Sequence, residues 1–151
     1  MLVGVALLGL AGVTFAGDEA PAVASAGRVR QYVFDMESAY KKVHDYTAVF
    51  YKQERVKGAL QPTEQIELKF RKPLSVYMKW AGDVNPGQEA IYVAGWNGDQ
   101  TRAHKGSFPD VTVNLRPTSA MAMRGNRHPI TEAGFGHTIG NVAQGIGSLV
   151  V

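Results

Sequence analysis

From Thr63 to Arg71 the chain alternates, with Ile66, Leu68 and Phe70 on one side and Glu67, Lys69 and Arg71 on the other. That period of two predicts a strand with one dry and one wet face, as in an antiparallel sheet. Leu74 to Trp80 repeats it, with Leu74, Val76, Met78 and Trp80 in phase. Pro73 separates the two runs. Further strands are expected over Asp45 to Arg55, Glu89 to Ala94, a short run ending at His104, and Val111 to Leu115. Lys57-Gly58 and Asn97-Gly98 supply turn chemistry between strands. In the first of these strands Tyr46, Ala48 and Phe50 face one way and Thr47, Val49 and Tyr51 the other. Neither set is polar, so both faces are expected to be covered.

The period lengthens to that of a helix at both ends. Val29, Tyr32, Val33, Met36, Ala39, Tyr40 and Val43 make one apolar face from Arg28 to His44. Near the C-terminus, Ile130, Phe135, Ile139, Val142 and Ile146 form a stripe. Pro129 suits the first turn of that helix and Glu132 its positive end. The expected fold is α+β: a helix, about six consecutive antiparallel strands in a curved sheet, and a second helix. A sheet of that length curls, which would leave one face as an apolar hollow.

Residues 1–16 are apolar and carry no charge. Their length suits a secretory signal peptide rather than a membrane span of about 20 residues. Thr14 and Ala16 provide the small side chains a signal peptidase requires, although no Lys or Arg precedes the run. Residues 17–27, rich in Ala, Gly and Pro, read as a flexible lead-in, and 28–151 as a single domain. The expected location is periplasmic or otherwise exported. All 16 Lys and Arg lie at or after Arg28, and only Asp18 and Glu19 of the 13 acids precede it, so this domain carries 16 against 11, a net +5. Such a balance favours anionic partners in solution. The chain has no cysteine, which excludes disulfides, thiol nucleophiles and Cys-based zinc sites.

Motifs for catalysis are missing: there is no P-loop, no G-x-S-x-G and no H-E-x-x-H. Gly134-Phe135-Gly136 followed by Gly140 misses the dinucleotide spacing by one residue. Neither catalytic residues nor a bound metal or cofactor are expected. The densest polar cluster is MRGNRHPITE, residues 123–132. Its Arg124 and Arg127 could clamp a phosphate or carboxylate. His128 and Glu132, four apart, would share a helix face, with His137 five further on. That spacing matches no recognised ligand pattern, and a capping role is the plainer reading. Lys52, Glu54 and Arg55 beside aromatics would suit single-stranded nucleic acid. An exported protein does not meet that ligand, and no nucleic-acid partner is expected.

Four motifs in order, YTAVFYKQER (46–55), ELKFRKPLSVYMKW (67–80), GQEAIYVAGWNG (87–98) and AMRGNRHPITEAGFG (122–136), carry a family resemblance. The chain resembles an uncharacterised bacterial exported family, a domain of unknown function grouped with the LolA/LolB-type lipoprotein carriers, over about Tyr40 to Ile139. The resemblance implies a periplasmic protein whose half-barrel sheet holds a lipid or the acyl chain of a lipoprotein. It brings no catalytic residues. Family members look longer beyond the HPITE motif, so the half-barrel is expected to be incomplete. Residues expected to line the hollow are Phe50, Ile66, Leu68, Phe70, Val76, Met78, Trp80, Ile91 and Val93, with Arg124 and Arg127 at its rim. Two other functions stand beside this one: an envelope hydrolase or metal-dependent enzyme using His128 and Glu132 with Arg124, and an interaction module that takes a strand from an envelope protein partner.

Overall fold

The computed structural model describes residues 20–148, with side chains over 27–146. The expected signal peptide, 1–16, lies outside the described residues. Helix α1 spans Ala20–Lys41 and α2 spans Phe135–Ser148. Strands β1 (Asp45–Lys52), β4 (Glu64–Arg71), β5 (Ser75–Trp80), β6 (Glu89–Val93), β7 (Thr101–His104) and β8 (Thr112–Leu115) form one antiparallel sheet in the order β1-β4-β5-β6-β7-β8. Two short strands, β2 (Arg55–Val56) and β3 (Ala59–Leu60), make a hairpin between β1 and β4. Lys57 and Gly58 turn it, with φ of 49° and 83°. Positive φ at both central residues is the turn that matches strand twist.

The sheet register builds the core. Phe50, Ile66 and Trp80 lie in one cross-strand row, Ala48, Leu68, Met78, Ala90, Ala103 and Val113 in the next, and Tyr46, Phe70, Val76 and Tyr92 in a third. Ile66, Leu68, Phe70, Val76, Met78, Trp80 and Ala90 form one buried cluster. The opposite face is wet, as expected from the alternation. Glu67 stands opposite Lys79, Asp45 opposite Arg71, and Lys69 Nζ lies 5.5 Å from the centre of the Tyr77 ring.

Four sequence expectations change. The helix expected from Arg28 begins at Ala20, taking in most of the segment read as a flexible lead-in. Ala20, Ala22, Ala24 and Ala26 favour helix, and Pro21 is tolerated in a first turn. Of its apolar stripe only Val33 is buried; Tyr32 stays 65% exposed. On β1, Val49 and Tyr51 are exposed, because β1 is an edge strand whose outer face carries nothing among the described residues. Finally, the helix expected from Pro129 starts at Phe135. Ile130–Glu132 forms a single 3-10 turn, Ala133 is extended, and Gly134 sits at φ 105°. A residue in that conformation ends any helix begun before it.

Lys72 ties α1 to the sheet. Its ammonium donates to the Tyr40 carbonyl at 2.5 Å and lies 4.0 Å from the centre of the Tyr40 ring. A lysine at the last carbonyls also opposes the negative end of the helix dipole. Tyr40 in turn packs on Gly136 of α2, where a Cβ would come within 2.7 Å of the ring.

Candidate functional site

The apolar face of the sheet is closed by this chain itself. Ile130 and Ala133, from the irregular segment between β8 and α2, pack on the buried cluster together with Tyr46 and Leu74. Phe135 tilts onto Tyr46 with ring centres 5.0 Å apart, and Tyr46 stacks on Phe70 at 4.9 Å. The Tyr46 hydroxyl accepts the Phe135 N–H at 3.1 Å. Burial raises the pKa of that phenol, and the Phe135 N–H offsets part of the rise. Tyr46 therefore stays protonated and joins β1 to the start of α2 through both its ring and its oxygen.

A second set of contacts holds the segment to the other end of β1. Glu54 Oε2 accepts the Arg127 N–H at 2.8 Å. Lys52 Nζ reaches Asn126 Oδ1 and Glu64 Oε2, each at 2.5 Å. Asn126 Nδ2 donates to the Ala122 carbonyl at 3.0 Å, fixing the turn it belongs to. Lys52 and Glu64 are largely buried, with side chains 15% and 14% exposed. Removing the ammonium would strand the carboxylate with only the Asn85 amide, 3.1 Å from Oε1. Lys52→Ala is therefore expected to cost about 1–3 kcal/mol in urea unfolding. Pairing it with Glu64→Leu should recover part of that loss; no recovery would place the cost in the Asn126 contact instead.

The residues expected to line a hollow divide. Ile66, Leu68, Phe70, Val76, Met78 and Trp80 share the covered face and are buried, while Phe50 lies on the same face at the sheet edge, 39% exposed. Ile91 and Val93 are corrected: the register sets them on the wet face, opposite Tyr77 and Ser75. Ala90 and Tyr92 take the covered positions. Ala90 to Val93 are all apolar or aromatic, and the one signal of phase in that strand is Glu89, which shares its face with Ile91 and Val93. Arg124 and Arg127 are exposed, and only the Arg127 backbone makes a contact to β1's end. A cavity of about 140 Å³ lies beside Lys52, Glu54, Glu64 and Arg124, and one of about 160 Å³ lies on the wet face by Tyr77, Arg102 and His104. The first adjoins the end of the covered face, where Lys52 and Glu64 pair one row beyond Phe50 and Ile66; the second lies on the opposite face.

The bend at Ala133 and Gly134 brings together three side chains that a continuous helix would not. His128 Nδ1 meets Glu132 Oε2 at 2.8 Å, and His137 Nε2 approaches the same oxygen at 3.4 Å. The ligating atoms of all three lie within 4.8 Å of one another. His104 lies elsewhere and pairs with Asp110 across the β7–β8 turn.

The architecture is that of a small α+β protein: an open antiparallel sheet whose dry face is closed by an irregular segment rather than by a helix. Residues 43–148 match the model of the family described as "Protein of unknown function (DUF1571)", and the chain belongs to that family. No curated protein and no solved structure matches the chain.

Proposed function

We propose that the protein is a non-enzymatic carrier of the bacterial envelope, related to the LolA/LolB-type carriers, that takes an acyl chain on the dry face of its sheet. In this reading residues 1–16 direct it to the periplasm and are removed. The segment of Ile130 and Ala133 is a cover that lifts to admit the ligand.

The observation that carries the reading is Trp80. It is 7% exposed, and its indole N–H is buried with no acceptor among the described residues. An unpaired buried donor costs about 1–3 kcal/mol. An ester or amide carbonyl at the head of an acyl group would satisfy it. Phe50, in the same row and half open to solvent, marks the side from which a chain would enter.

The energies are compatible. Ten methylenes gain about 8 kcal/mol on leaving water. Lifting the cover exposes Ile130, at about 1.5–3 kcal/mol. It also breaks the bonds to Glu54 and Tyr46, at about 1 kcal/mol each. What remains must meet the cost of ordering the ligand.

The chain has two tryptophans, so Trp96→Phe leaves Trp80 as the sole donor for energy transfer. A dansylated fatty acid should then show saturable transfer. A folded protein with no transfer at any probe concentration would end the carrier reading.

A further inference from the structure

We propose that His128, Glu132 and His137 bind one zinc ion, which clasps the irregular segment to the first turn of α2. This site does not depend on the carrier reading, and its ligands flank Ile130 and Ala133 on the segment that covers the dry face.

The donor set is two imidazoles and one carboxylate, a combination suited to Zn²⁺. Tetrahedral zinc with bonds of about 2.0–2.2 Å holds neighbouring ligand atoms about 3.3–3.5 Å apart. The two measured approaches to Glu132 Oε2 are 2.8 and 3.4 Å, and no pair of ligand atoms is more than 4.8 Å apart. Side chains that are 57%, 36% and 36% exposed have room to turn toward a common centre. The fourth position faces solvent and would hold water.

Asn141 Nδ2 lies 2.9 Å from His137 Nε2, the nitrogen that also lies 3.4 Å from Glu132 Oε2, so this amide swings aside when Nε2 takes a cation.

The geometry also explains why the chain is bent here. An α-helix running from Pro129 would separate residues 132 and 137 by five positions, away from a shared face. The extended Ala133 and the positive φ of Gly134 reset that phase and carry His137 round to Glu132. His128 and Glu132 come from one side of the bend and His137 from the other, so a shared ion would fasten the two together.

The test uses the full chain, stripped with a chelator and titrated with Zn²⁺ alone by calorimetry. One equivalent should bind, and the thermal midpoint should rise by several degrees. His137→Ala and His128→Ala should each weaken binding at least about tenfold and abolish the rise, as loss of a metal ligand does. His104→Ala, which removes a half-buried imidazole paired with Asp110 on the sheet, should leave both unchanged. Co²⁺ substituted for zinc should give the intense visible bands of a four- or five-coordinate ion in the parent chain and lose them in His137→Ala. Equal affinity in the parent chain and in a folded His137→Ala variant would overturn the site, as would no measurable binding by the parent.

Discussion

Gly134→Ala is expected to destabilise the protein by about 3 kcal/mol, more than any other single methyl group added to the segment that closes the sheet. Two effects combine. The residue sits at φ 105°, where an L side chain is strained by about 1–3 kcal/mol. A Cβ there would also lie 2.8 Å from the Tyr46 hydroxyl and 2.9 Å from the Phe70 ring. Neither neighbour can retreat freely, since Tyr46 is stacked on Phe70 and bonded to Phe135. Forcing extra volume into such a contact costs about 1–3 kcal/mol. Urea unfolding should show a lower midpoint with the slope unchanged. A midpoint equal to that of the parent would mean that the chain does not turn at this residue as described.

The second large effect separates the closed part of the dry face from its open edge. Phe70→Ala is expected to cost about 3–5 kcal/mol, the usual result of removing a buried aromatic ring. Phe70 is 5% exposed, stacked on Tyr46 and approached by Gly134. Phe50→Ala makes the same chemical change on the same face, but its ring is 39% exposed, and about 1 kcal/mol is expected. Similar losses at the two positions would show that the cover does not bury Phe70. A difference of several-fold supports a closed resting state, which the carrier reading requires.

The sheet was legible because its alternation has a single phase wherever one face is charged. Glu67, Lys69 and Arg71 fix the phase of β4, and Lys79 assists that of β5. In β6 the only such marker is Glu89, at the very start of the strand, and the run that follows it is apolar throughout. Ile91 and Val93 have the shape of core residues, yet Ala90 and Tyr92 are the ones buried. Tyr92 can be buried because its hydroxyl reaches Asp99 at 3.3 Å, a partner in the following turn that alternation does not reveal. The same limit hid the convergence of His128, Glu132 and His137. Their spacing fits neither a helix nor a strand, because the chain between them passes through a 3-10 turn, an extended residue and a left-handed glycine before α2. The sequence displayed the donors; only the path of the backbone displayed their meeting.

The strand order has a kinetic consequence. Each strand of the sheet pairs with its neighbour along the chain, apart from the small hairpin set between β1 and β4. Such short closures demand little chain entropy, so a sheet of this kind zips together early. The bonds from Glu54 to Arg127 and from Tyr46 to Phe135 instead join residues 73 and 89 apart. Closures of that length are expected to follow the assembly of the strands, and they hold the irregular stretch between β8 and α2. The stretch that docks last on the way to the native state is thus also the one that loosens first.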